Sequence, residues 1–313
     1  GDGTEIFGSV TTTYVSQVAI GSGTTGNALV LISENVTIND AGSLSHLSVQ
    51  DGGVVMENLN VTGTTLDDSF SLQQSTTVAQ ESPGGGFVGG SLNVNLGQGG
   101  SNGDRITLGP NTEVDGNAYL TAGNNLNATT GDQFKVLGSV MQNVTVNMGN
   151  TVNSLFFSPQ NSGDPVPFVG GNMTVIAGNG KNIIGQTGVG MPGEFNGTVG
   201  GNLSFTLGSG SNGTASNPMI IAALVGGTLT WTSGNGQNFL QLGDSTAGEP
   251  STGNNYNYNV NIHFGNKDDT FILDIGTFGV ITGSVNGGGR QTANHFIFDS
   301  GNEGTPFSSP NFP

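Results

Sequence analysis

Hydrophobic residues in this chain arrive in short bursts that alternate with polar ones, as in Leu92-Asn-Val-Asn95, Met173-Thr-Val175 and Leu203-Ser-Phe205. Alternation at period two sends one set of side chains into a core and the other into solvent, which is the pattern of a strand. No segment keeps a 3.6-residue period for more than a turn or two. The bursts also recur as whole phrases. Val88-Gly-Gly-Ser-Leu-Asn-Val94 returns as Val169-Gly-Gly-Asn-Met-Thr-Val175, Val199-Gly-Gly-Asn-Leu-Ser-Phe205 and Val225-Gly-Gly-Thr-Leu-Thr-Trp231, with looser copies starting at Val114, Val140 and Tyr256. Successive starts lie about 26–31 residues apart, the span of one stacked supersecondary unit.

Each unit reads as an anchor, a Gly-Gly corner, an alternating strand, a Gly/Asn turn and a second alternating strand. Val225 to Trp231, for example, leads through Ser233-Gly-Asn-Gly236 to Asn238-Phe-Leu-Gln-Leu242. Strands this short cannot close a core alone, but like units stacked about 4.8 Å apart can. The predicted fold is all-β: a parallel β-solenoid (β-helix) with coils of about 26–31 residues and projecting loops. An antiparallel sandwich would also suit many short strands, yet the sequence repeats by whole coil and not by hairpin. One solenoid is expected over 1–313, with irregular N-terminal coils in 1–87, regular repeats in 88–299 and an extended C-terminal tail in 300–313. In the irregular part, 15–32 and 56–72 each read as a two-strand unit. Loops are expected at 75–86, 158–167 and 244–255, and the corner glycines are expected to serve positive φ.

Composition sharpens this. The 56 glycines and the abundant Asn, Ser and Thr are poor helix formers, while the 33% of hydrophobic residues argues against a disordered chain. A net charge of −17 leaves five basic residues, Arg105, Lys135, Lys181, Lys267 and Arg290, dispersed along the sequence. Nucleic-acid binding needs clustered cations and is not expected; the acidity speaks equally against an anionic membrane surface. No apolar run approaches the roughly 18 residues of a membrane span. An exported chain, with Gly1 following a cleavage, is the expected setting.

Candidate chemistry is sparse. The turns Gly178-Asn-Gly-Lys-Asn182 and Gly234-Asn-Gly-Gln-Asn238 resemble the calcium-binding nonapeptide of some solenoids, but place amides where a hard cation wants carboxylates. Asp104, Asp132, Asp268 and Asp269 sit nearer that pattern and are the candidate metal residues; no other cofactor is expected, and calcium is the one ion considered. The acidic pairs Asp67-Asp68 and Asp268-Asp269 would point to opposite faces of a strand, and read as solvated turn residues. His46, His263 and His295 fall in different coils, with His263 on an outward position. No catalytic residue is assigned and the chain is not expected to be an enzyme. Trp231 aligns with Val175 and Phe205 and is expected in the core.

The Val-Gly-Gly-Asn-Leu-Thr-Val type strands and Gly-Asn-Gly turns resemble the Gly/Asn-rich β-solenoid repeats of bacterial, planctomycete-like, cell-surface or extracellular-matrix proteins. The resemblance implies a secreted structural or adhesive role, with copies of itself, other matrix proteins or glycans as partners. The alternative is a carbohydrate-active β-helix enzyme or glycan-binding module, for which Tyr256, Tyr258 and Trp231 are the aromatics to inspect. Gly1-Asp-Gly-Thr-Glu-Ile-Phe7 reads as the turn and second strand of a unit lacking its first strand, and the chain closes on Asn294-His-Phe-Ile-Phe298 and a tail carrying Phe307 and Phe312. Head-to-tail assembly into a filament is therefore expected, through Gly1, Ile6, Phe7, Phe296, Phe298, Phe307 and Phe312; a longer repeat protein cut at both ends would explain the half-unit equally.

Overall fold

The computed structural model describes residues 4–13, 17–20, 30–39, 46–49, 53–64, 67–72, 86–100, 102–124, 131–161, 163–185, 194–214, 217–243, 256–274, 279–288, 295–298 and 307–308. Among these there is no helix, and every pairing between strands is parallel. The chain is a β-solenoid whose successive coils add strands to three faces. A nine-stranded first face runs from Thr4–Ile6 to Leu224–Val225, and a twelve-stranded second face from Val10–Thr13 to Phe307–Ser308. The third face has seven strands, Gln17–Ile20 to Asn182–Ile184, and continues as five, Glu194–Phe195 to His295–Phe298.

The repeat phrases map directly onto this scaffold. Val88, Val114, Val140, Val169, Val199 and Val225 pair in one unbroken column, each at most 5% exposed. The anchor is itself a strand: Phe87–Val88, Ser139–Val140 and their equivalents form the first face. Two residues are too few to show alternation, which is why the sequence suggests two strands per coil where there are three. Tyr256 behaves differently, opening an eight-residue second-face strand, Tyr256–His263, that runs straight through the position of the corner.

The N-terminal quarter follows the same plan in a different phase from that expected. Ile6, Ile32 and Val55 extend the anchor column, and Val55 pairs with Val88. Residues 15–32 are therefore not one unit, since Gln17–Ile20 lies on the third face of one coil and Val30–Ile32 on the first face of the next. Coil length conceals the period: equivalent corner residues are 23 apart from Asn35 to Asn58 and 33 apart from Asn58 to Ser91. The expected loop at 158–167 contains no strand among its described residues, and Asp164 there accepts the Asn161 backbone N–H at 2.9 Å. The loops expected at 75–86 and 244–255 lie outside the described residues, apart from Gly86.

Inward residues of the three faces fill one continuous core. At its centre Phe157, Phe195, Phe205 and Trp231 form a column with successive ring centroids 4.7, 5.4 and 5.3 Å apart, and Trp231 is fully buried as expected. The Gly-Gly corners owe their glycines to close stacking more than to unusual backbone. A Cβ on Gly201 would lie 2.6 Å from Asn172 Oδ1 of the coil before, and positive φ occurs at other glycines, such as Gly97 and Gly149 in the second corner.

Candidate functional site

In eight consecutive coils an Asp or Asn at or near the start of the third face points its side chain inward. Asp68, Asp104, Asp132, Asn153, Asn182, Asn212, Asn238 and Asp269 occupy this position in consecutive coils, all at most 2% exposed. They form a buried single-file ladder. Asn182 Nδ2 donates to Asn212 Oδ1 at 2.9 Å, Asn212 Nδ2 to Asn238 Oδ1 at 2.7 Å, and Asn238 Nδ2 to Asp269 Oδ1 at 2.7 Å. At the carboxyl rungs the backbone takes part: the Asp68 N–H donates to Asp104 Oδ1 at 3.0 Å and the Asp104 N–H to Asp132 Oδ1 at 2.9 Å.

The amides and the carboxyls are not equivalent here. An Asn accepts from one neighbour and donates to the next, so amide rungs propagate without limit. A carboxylate has nothing to donate. Asp104 Oδ2 is buried with no hydrogen-bond partner, and Asn153 Oδ1, facing the Asp132 rung, has no donor. A proton on the carboxyl would restore the missing donor, because a carboxylic acid presents an acceptor and a donor where Asn presents Oδ1 and Nδ2. Burial pushes the Asp104 carboxyl up to about 8, with the neighbouring carboxylates of Asp132, Asp68 and Asp67 adding to the effect and the Asp68 backbone N–H opposing it. Burial likewise raises Asp269 to about 7 against two hydrogen bonds from Asn238.

Three of the four candidate metal residues thus share one ladder, and the fourth does not: Asp268 is exposed on the outer surface while Asp269 is buried. The expectation that the acidic pairs are both solvated fails at Asp68 and Asp269, because each pair puts one member into the ladder. Calcium wants about 6–8 oxygen ligands at 2.3–2.6 Å. Single-file rungs whose Oδ1 atoms already bind backbone N–H groups do not make such a cage, and among the described residues no group of three or more His, Asp or Glu could hold a metal ion.

The remaining candidates are spread out. His263 and His295 are exposed on different strands. A cleft of about 490 Å³ is lined by Pro218, Phe239, Asp268, Ile272 and His295 on the outer third face. Ile6 is 38% and Phe7 82% exposed, but Thr4–Ile6 is the first-face strand of a coil and not the second strand of a half-unit. Phe296 packs on the core, its ring centroid 5.0 Å from that of Phe271, and Phe298 ends the strand beside Thr270–Leu273. Phe307–Ser308 pairs with the chain's own second face at Gly283 and Ser284, so this piece of the tail is already docked. An edge strand offers unpaired backbone, and the tail of the same chain reaches it. Gly1 and Phe312 lie outside the described residues.

What the sequence hides is alignment across coils. Arg105 and Lys135, dispersed in sequence, stand on the outer side of the third face, and Lys181 is exposed immediately before its strand Asn182–Ile184. No protein-family model, curated protein or solved structure matches this chain.

Proposed function

We propose that the protein is an extracellular structural or adhesive solenoid that assembles with copies of itself into a surface matrix or filament. The observation that carries this reading is where the acidic side chains go. Asp68, Asp104, Asp132 and Asp269 are built into the wall as rungs between coils, so chemistry-bearing groups serve stacking. The second ladder along the first corner works the same way. There the Asn172 N–H donates to Asn143 Oδ1, the Asn202 N–H to Asn172 Oδ1 and the Thr228 N–H to Asn202 Oδ1, at 2.8–2.9 Å. Negative-stain microscopy of the purified chain tests the proposal: rods that join into sheets or filaments are expected, and dispersed particles at every concentration and salt would overturn it.

The cleft beside Pro218 supports a second reading, glycan binding, since Phe239 offers an aromatic surface bordered by Asp268, Gln237 and His295. Trp231 is core and takes no part. Retention on a glycan array that is lost in Phe239→Ala would favour it.

A further inference from the structure

Among the described residues of the N-terminal and central coils, charges of opposite sign lie on different sides. Three of the five basic residues lie along the third face and its edge within four adjacent coils: Arg105, then Lys135 one coil on, then Lys181, immediately before Asn182–Ile184, two coils beyond that. Their neighbours on this outer side, Thr107, Gln133, Ser154 and Phe156, are uncharged, and Lys135 Nζ sits 5.7 Å from the Phe156 ring centroid. Asp67, at the edge of this face, is engaged by the N–H groups of Asn102 and Gly103 at 2.9 and 3.0 Å.

Along the first corner runs an acidic ridge. Glu34 is followed one coil later by Glu57 in the same register, and two coils beyond that by Glu113 and Asp115, all exposed. Counting by coil, both rows have the same spacing: a charge, another in the next coil, a third two coils further. The acidic row simply begins two coils nearer the N-terminus. We propose that the third face of one copy docks on the acidic corner of a second copy, the two lying parallel and staggered by two coils, with Arg105 against Glu34, Lys135 against Glu57, and Lys181 against Glu113 and Asp115.

A second copy fits this surface because two solenoids share one repeat, so rows matched at one coil stay matched along the stack. Partial shielding of the Glu113 carboxyl from water and the adjacent Asp115 both raise its pKa, a conflict that a cation opposite would relieve. The contact uses different patches on the two partners and need not close; it extends sideways into a sheet, which deepens the assembly reading above and rests on it. The net charge of −17 does not prevent it at moderate salt. The Debye length is about 10 Å at 0.1 M, so facing pairs are felt while charges on the far sides are largely screened.

Exposed ion pairs are individually weak, so sedimentation velocity over a concentration series, at 0.1 and 0.5 M NaCl, is the measurement. Self-association should fall about tenfold or more at the higher salt. The variants R105E/K135E/K181E and E34K/E57K/D115K, checked for unchanged circular dichroism, should each stay monomeric alone. Mixed in equal amounts they should associate again, because each then supplies the face the other needs. Association of either variant alone at the wild-type level, or a mixture that stays monomeric, would overturn the proposal. So would a wild-type chain that stays monomeric yet binds polygalacturonate through the same three cations. Salt-independent filaments unaffected by both variants would sink the lateral contact but leave the matrix reading standing; a chain that never assembles would remove both.

Discussion

At Asp104 a carboxyl stands where four of the eight rungs of the ladder have an amide, and its two protonation states have opposite consequences. Neutral, it can turn its buried Oδ2 into a donor; charged, it sits between Asp68 and Asp132 away from water. The folded-state value is raised from about 3.8 to about 8. The stabilisation is therefore fully present below about 3.8 and is lost as pH rises through about 8. The melting temperature should be higher at pH 5 than at pH 9. Asp104→Asn keeps the shape and supplies a permanent donor. It should leave stability near pH 4 almost unchanged and stabilise by roughly 1–3 kcal/mol at pH 9, a few degrees in a thermal melt followed by circular dichroism. A variant equally destabilised at both pH values would show that the carboxylate form is the one the fold uses.

Strands and corners are governed by how closely one coil lies on the next. Gly180, Gly210 and Gly236 stack in the second corner, and a Cβ on Gly210 would run into the carbonyl oxygen of Gly180. Gly210→Ala should cost roughly 1–3 kcal/mol by forcing coils apart, read as a lower urea midpoint, whereas Gly163→Ala meets no atom within 4 Å and carries only its backbone strain at φ 106°. Since the Oδ1 atoms of the ladder carboxyls Asp104, Asp132 and Asp269 are taken up by backbone N–H groups, excess chelator should leave the melting temperature within error; a fall of many degrees would place calcium in the fold after all. At this scale much was legible from sequence: the Val-Gly-Gly phrase gave the corner, the second-face strand and the register between coils. The first face was not, because a two-residue strand such as Thr198–Val199 has no alternation. The ladder was half visible. Asn182 and Asn238 stood out, but Asp68 looked like a solvated turn residue, because Asn and Asp interchange along the column and its rungs are unevenly spaced, 36 residues from Asp68 to Asp104 and 28 from there to Asp132. The basic row was invisible for a related reason, since only the coil lengths bring Arg105, Lys135 and Lys181 to one side.

For the whole molecule, the consequence of stacking is that each coil is held chiefly by its two neighbours, so stability is a sum of local terms and one weak stretch can open before the rest. The two halves differ in what they carry. Asp68, Asp104 and Asp132 follow one another in the N-terminal half, where a charged Asp104 meets carboxyls on both sides. Asp269, in the C-terminal half, is met by the N–H and Nδ2 of Asn238 at 3.0 and 2.7 Å, two donors that oppose part of the upward push of burial. The only tryptophan, Trp231, lies in that second half in the aromatic column with Phe157, Phe195 and Phe205. Raising the pH should therefore loosen the carboxyl stack of the N-terminal half more than the surroundings of the indole, since Asp104 is raised to about 8 and Asp269 to about 7. At pH 5 the loss of β-sheet circular dichroism and the red shift of tryptophan emission should coincide on heating. At pH 9 part of the dichroism should be lost first, while emission stays blue. Asp104→Asn should bring the two transitions back together at pH 9. Coincident transitions in the wild-type chain at both pH values would mean that the coils melt as one unit and that the carboxyl stack is no weak point.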